Sequence, residues 1–301
     1  MYYRRKILLA LLQVFGGELS KLDLQKYLFL FNASSNKPFF DFIPYKYGCY
    51  SFQSDQDLST LSKYNLVEES EKSWRLKDKT NFLNSLSTKD KISLTAFYQK
   101  FNYLTGNKLI KYVYEHYPYY AINSTIAEEI LDGEKYRTVL ESKPDKNGYA
   151  IFSIGYEGKS VEHFTNELIK EDVKALCDIR KNAFSMKYGF SKKQLKFIVE
   201  NVGIKYVHLP ELGIVSGKRK QLNSKEDYEI LFKDYEENIL PENKDTLEEL
   251  YKIFLQNKRI ALMCFEADHN YCHRSRTFDA LASLAGRQAE INKKETNYQH
   301  L

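Results

Sequence analysis

From Tyr149 onward the chain repeats one pattern, a short apolar run followed by a segment with helical spacing, and few folds accommodate it. The apolar runs are Ala150 to Ile154, Val173 to Cys177, Tyr206-Val207 and Ile260 to Cys264. Around them, Val161 to Ile169, Leu195 to Val202, Tyr228 to Tyr235, Leu247 to Leu255 and Arg274 to Leu284 carry apolar residues on one helical face. Strands that alternate with helices pair in parallel, so residues 149–301 are expected to form an α/β domain with a mostly parallel sheet. Right-handed crossovers then gather the carboxyl ends of the strands at one edge, where open sheets bind ligands.

The residues at those ends are polar. Gly155-Tyr156-Glu157 follows the first run, Asp178-Ile179-Arg180 the second and Cys264-Phe265-Glu266 the last. A two-residue offset puts Asp178 and Arg180 on one side of an extended segment, where they either share a ligand or form a structural ion pair. Cys264 and Glu266 have the same offset, and a glutamate confined in a crevice can act as general acid or base. Cys272-His273-Arg274-Ser275 then opens a helix, whose free N–H groups and Arg274 guanidinium would cradle a phosphate or carboxylate. The plainer alternative is that Cys272 packs as a small hydrophobe while His273 and Arg274 tie down the loop. His208 lies just past another strand.

These positions assign catalysis to Asp178, Glu266, Cys264 and His273, and ligand binding to Tyr156, Arg180, His208, Cys272 and Arg274. Cys264, Cys272, His273 and His269 raise the question of zinc, but their C-x7-C-H spacing lacks the paired C-x2-C knuckle of most structural sites. No cofactor is therefore expected, with zinc the alternative, and nucleophilic chemistry stays open for either thiol. The segment Lys181 to Lys193, KNAFSMKYGFSKK, interleaves four lysines with three aromatics. Lys187, Lys192 and Lys193 thus become candidates for nucleic-acid contact, against the plainer reading of a basic surface loop.

The first half has a different pattern. The start MYYRRKILLALLQVFGG lacks a small-residue cleavage pattern and reads as an amphipathic helix, not a signal peptide, and the chain has no run of 18 apolar residues. Ser20 caps a second helix over Lys21 to Phe31. A third helix near Asp55 to Tyr64, and strands at Val67-Glu68 and Ser73 to Leu76, complete the order of a winged helix. Helices at Thr88 to Leu104 and Lys108 to Tyr117 extend an α-rich domain over residues 1–131. The polar stretch Asp132 to Gly148 is expected to be a linker between the two domains.

At 301 residues two domains fit the usual size of about 150 each. The net charge of +5 leans toward an anionic partner without requiring one. Four scattered cysteines suit thiols of a reducing compartment, which implies a cytoplasmic protein with no membrane partner. The oligomeric state is not encoded in any of these features.

The stretches SIGYEGKSVEHF, DIRKNAFSMKYGFSKKQL, IKYVHLPELGI and ALMCFEADHNYCHRS resemble the domain of unknown function 488 family over about Tyr149 to Leu284. That resemblance implies a Rossmann-like α/β domain and supports the site residues above, without supplying a substrate. LQKYLFLF and PYKYGCYSF resemble the Panacea antitoxin-like domain, with Cys49 where that pattern has proline, and imply that the amino-terminal domain binds nucleic acid or protein. No G-x-G-x-x-G follows a strand, so hydrolysis or group transfer on a nucleotide or nucleic acid is expected over redox chemistry. The alternative is a non-enzymatic DNA-binding regulator or sensor whose α/β domain binds a small anionic ligand.

Overall fold

The structure is a computed structural model that describes residues 1–35, 37–219, 222, 224–286 and 292–295. The chain divides into two compact units, Met1–Lys143 and Pro144–Leu301.

In the first unit the order is α1 (Tyr3–Val14), β1 (Glu18–Ser20), α2 (Lys21–Ser34), a hairpin of β2 (Ile43–Tyr45) and β3 (Gly48–Tyr50), α3 (Phe52–Lys63), β4 (Val67–Glu69) and β5 (Ser73–Leu76). The strands β1, β5 and β4 form one antiparallel sheet, which is the winged-helix order with a hairpin inserted before α3. Ser20 caps α2 by accepting the Asp23 amide at 2.9 Å, as its position predicts. α4 (Thr88–Phe101), α5 (Gly106–His116), α6 (Ala127–Ile130) and α7 (Gly133–Glu141) follow. α1 and α2 are apolar nearly all round because α3, α4 and α5 enclose them in one aromatic-rich core.

The expected linker at 132–148 needs correction. Asp132 accepts the Lys135 amide at 3.0 Å and starts α7, whose Val139 joins the core of the first unit. A polar composition there reflects an amphipathic surface helix, and the units divide between Lys143 and Pro144, within that stretch.

The second unit contains β6 (Ala150–Gly155), α8 (Val161–Lys170), β7 (Ala175–Asp178), α9 (Lys192–Glu200), β8 (Lys205–His208), α10 (Lys225–Asp234), α11 (Leu240–Glu242), α12 (Lys244–Asn257), β9 (Arg259–Cys264), α13 (Arg274–Ala285) and β10 (Asn292–Glu295). All pairings are parallel, in the order β10-β6-β9-β7-β8. β10 was not anticipated, since Asn292–Glu295 is polar and carries no apolar run.

Alternation divides the sheet's side chains into two layers. Ile151, Cys177, Ile260 and Leu262 pack with Phe232, Phe254, Phe278 and Leu281 from α10, α12 and α13. Phe152, Ile154, Leu176 and Met263, also buried, point the other way, where Tyr156 stacks on Phe190 at 4.3 Å and Phe190 meets Phe164 of α8. β9 lies between β6 and β7, and the helix after β9 covers the face opposite to those after its neighbours. The strand order thus reverses around β9, and its carboxyl end is where such a sheet opens a crevice.

Candidate functional site

The pleat separates the polar strand ends into two networks. Asp178 lies opposite Met263 in register, whereas Cys264 lies opposite Gly155, so Asp178 and Cys264 face opposite sides of the sheet.

On the α8 and α9 side, Arg180 donates through Nε and Nη2 to both oxygens of Asp178, at 2.8 and 2.6 Å. Its Nη1 donates to the Tyr156 hydroxyl and to the Phe190 carbonyl, each at 3.0 Å. The Tyr206 hydroxyl donates to Asp178 at 2.6 Å. Burial works against the Arg180 cation, but the Asp178 carboxylate outweighs it and raises the guanidinium pKa. Asp178, Arg180 and Tyr156 are all buried, so the structure makes them a closed brace, the ion-pair alternative for this tripeptide. Asp178, assigned to proton transfer, and Arg180 and Tyr156, assigned to a ligand, are thus engaged with one another. His208 sits beside the brace: its Nε2–H donates to the Arg180 carbonyl at 2.9 Å, leaving Nδ1 to accept from Lys192 Nζ at 3.1 Å. Those contacts give His208 a structural position.

On the α13 side, Cys264, Cys272 and His273 converge. His273 Nε2–H donates to the Ile179 carbonyl at 3.2 Å, which leaves Nδ1 unprotonated and 3.8 Å from Cys272 Sγ and 4.0 Å from Cys264 Sγ. The Tyr235 ring packs edge-on against the imidazole at 5.5 Å. Burial, then the neighbouring Cys264 thiol, pushes the Cys272 thiol well above its usual value, while Arg274 pulls it down. His269, grouped with these residues by sequence, instead contacts Ser153 Oγ through Nδ1 at 2.6 Å and lies outside the cluster.

Arg274 is 1% exposed and does not present itself to a ligand. Its Nε donates to Ser153 Oγ at 2.6 Å, and its Nη1 to the Glu266 carbonyl at 3.0 Å and to Cys272 Sγ at 3.7 Å. The opening amides of α13 are also engaged, Ser275 N–H with the Cys272 carbonyl and Arg276 and Thr277 N–H with that of His273. The guanidinium and the amides, expected to cradle an anion, are engaged within the turn that carries the cysteines.

A cleft of about 360 Å³ opens beside this cluster, with Glu266 and His273 in its wall. Glu157, Glu266 and Asp268 line it together with Tyr228, Phe232, Phe265 and Tyr271, and no lysine or arginine is among the described lining residues. Glu157 is held by the Ala267 amide, which donates to its Oε2 at 3.0 Å, and the Tyr156 and Glu157 amides both donate to the Phe265 carbonyl. Sequence reasoning missed Glu157, Asp268 and the aromatic walls. It also missed Ser153 and Tyr206, although a lone hydroxyl inside an apolar strand was a readable sign of a buried polar partner.

The basic segment also divides. Lys187 is half-buried and donates to the Tyr156 carbonyl at 3.0 Å, and burial lowers its pKa against the pull of Glu157. Its ammonium, a candidate for nucleic-acid contact, is thus engaged with the brace. Lys192 and Lys193 are exposed, as are Phe184 and Met186.

The carboxy-terminal unit is therefore a parallel-sheet α/β domain with a buried Cys-Cys-His cluster beside an acidic, aromatic cleft. Residues 160–281 match the family described as Domain of unknown function DUF488. The match runs from the start of α8 into α13 and contains the whole cluster; Ser153, Tyr156 and Glu157 precede it. The amino-terminal resemblance to the Panacea domain has no corresponding match. No curated protein matches the chain. Among the described residues no helix is long and apolar enough to cross a membrane.

Proposed function

We propose that the carboxy-terminal unit is an enzyme that hydrolyses or transfers a group on a nucleobase-bearing substrate, a nucleotide or a nucleic acid, with Glu266 moving the proton. The observation that carries this reading is the pairing of three carboxylates with four aromatic rings around one cleft. Carboxylates accept hydrogen bonds from the ring N–H and exocyclic amino groups of a base, and aromatic walls stack on its faces. The volume lies in the usual range for small-ligand pockets, about 300–1,000 Å³. A phosphate would meet three like charges there, so the sugar-phosphate portion lies outside the cleft. Glu266 and His273 share the wall, which supports a proton-transfer role for Glu266 beside the Cys-Cys-His cluster.

The test is to screen nucleosides, nucleotides and short single strands by calorimetry and by product analysis. Base-bearing ligands are expected to bind and inorganic phosphate not to compete. Glu266→Gln keeps the shape but accepts no proton, so it should lower turnover by about 10²–10⁴-fold while changing affinity only a few-fold. Competition by inorganic phosphate, or full turnover in Glu266→Gln, would refute the reading.

A further inference from the structure

We propose that Cys264, Cys272 and His273 form the three-residue protein shell of a zinc-class metal centre whose open position faces the cleft. Their Sγ, Sγ and Nδ1 atoms all lie within 4.8 Å of one another. A tetrahedral zinc ion with bonds of about 2.3 Å to sulfur and about 2.0–2.1 Å to nitrogen holds such ligands roughly 3.6–3.8 Å apart. The two thiol-to-imidazole separations, 3.8 and 4.0 Å, are already close to that spacing.

The surroundings are those a metal ligand needs. The Ile179 carbonyl takes the Nε2 proton of His273 and so fixes the tautomer whose lone pair, on Nδ1, points at the two sulfurs. Arg274 Nη1 donates to Cys272 Sγ, a bond that favours thiolate, and the bonding partners of this buried guanidinium include no carboxylate among the described residues. Two thiolates neutralise a divalent cation, which suits a buried site. Two thiolates and an imidazole select zinc and its soft neighbours over magnesium or calcium.

Three protein ligands, not four, is the pattern of a catalytic centre. His273 lines the cleft beside Glu266, so the fourth position is available to water or substrate. Loading the site releases the two thiol protons to solvent. A Lewis acid there would polarise the group that Glu266 deprotonates; this role rests on the function proposed above, whereas the site itself does not.

The experiment uses the full chain purified under reducing conditions. Elemental analysis should find a single zinc ion per chain, and cobalt(II) exchanged into the wild type should show thiolate-to-metal charge-transfer absorption of tetrahedral intensity. Cys264→Ser and Cys272→Ser should each lose that absorption and weaken zinc binding by more than the roughly 10–100-fold that loss of an outer partner brings. Glu266→Gln should keep the metal. A folded, reduced wild type that takes up neither zinc nor cobalt, a cobalt spectrum without sulfur charge transfer, or serine variants with unchanged uptake would overturn the proposal. Turnover persisting in metal-free protein would overturn the catalytic role given to the metal and spare the enzyme reading. Metal bound in a chain that binds no base-bearing ligand would do the reverse.

Discussion

A Cβ on Gly155 would lie 1.8 Å from the Glu266 carbonyl oxygen, so the end of β6 and the turn after β9 meet only because position 155 has no side chain. That approach sets the depth of Glu266 in the cleft and lets the same carbonyl accept from Arg274. Gly155→Ala should therefore cost about 1–3 kcal/mol of stability, as overpacking does, and displace the Glu266 turn. Urea unfolding would measure the first effect and ligand affinity the second; wild-type values in both would show that the turn moves freely. Residue types at the strand ends were legible in the sequence, but the face each occupies was not. Whether Asp178 joins Cys264 depends on the parallel register, Asp178 against Met263, and a shift of one residue would have put both on one face. For that reason the expected single pocket resolves into a buried brace and a separate cluster. The neighbours that settle the roles, Ser153 under Arg274 and Tyr206 under Asp178, come from other strands and carry no local signature.

At the level of elements, charge separates the two surfaces that a winged-helix reading and a basic-loop reading would assign to nucleic acid. α3, the helix that would enter a groove, carries Asp55, Asp57 and a single lysine at its end, and both Arg4 and Arg5 are bonded to the buried Asp57. The turn and strands of the wing hold Glu68, Glu69 and Glu71 against Lys72 and Arg75. Neither surface is basic. The loop before α9 and the start of that helix expose Lys192, Lys193, Phe184 and Met186 instead. If single-stranded nucleic acid binds there, replacing Lys192 and Lys193 by alanine should flatten the plot of log K against log salt by about 1.4, roughly 0.7 per lost contact. Lys187→Ala serves as the contrast: its ammonium is committed to the Tyr156 carbonyl, so it should lower stability and leave the slope alone. Equal slopes for the double variant and the wild type would make this loop a solvated surface. The helices and strands here were largely readable from periodicity and caps. The helix inside the supposed linker was not, because a surface helix with one buried valine is nearly as polar as a loop.

For the whole molecule, the division at Lys143 and Pro144 gives each half its own core, the aromatic cluster of the first unit and the sheet layers of the second. A cluster built entirely from residues 153–274 needs nothing from the first unit to hold its geometry. The fragment 144–301 should therefore unfold cooperatively in urea and bind zinc as the full chain does. Starting it at Tyr149 should be worse by about 1 kcal/mol, since the Lys146 amide donates to Asp172 at 3.1 Å and its ammonium pairs with Glu171 at 2.8 Å, closing the segment before β6 onto the turn after α8. The carbonyl of Glu171 in turn receives both Nε and Nη2 of Arg259, at 3.0 and 2.8 Å, so this turn also anchors the start of the strand that ends at Cys264. Circular dichroism on the two fragments decides the matter. A cooperative transition in 144–301 that moves to lower urea in 149–301 is the expected result, and a fragment 144–301 that melts without cooperativity would mean that the second unit depends on the first.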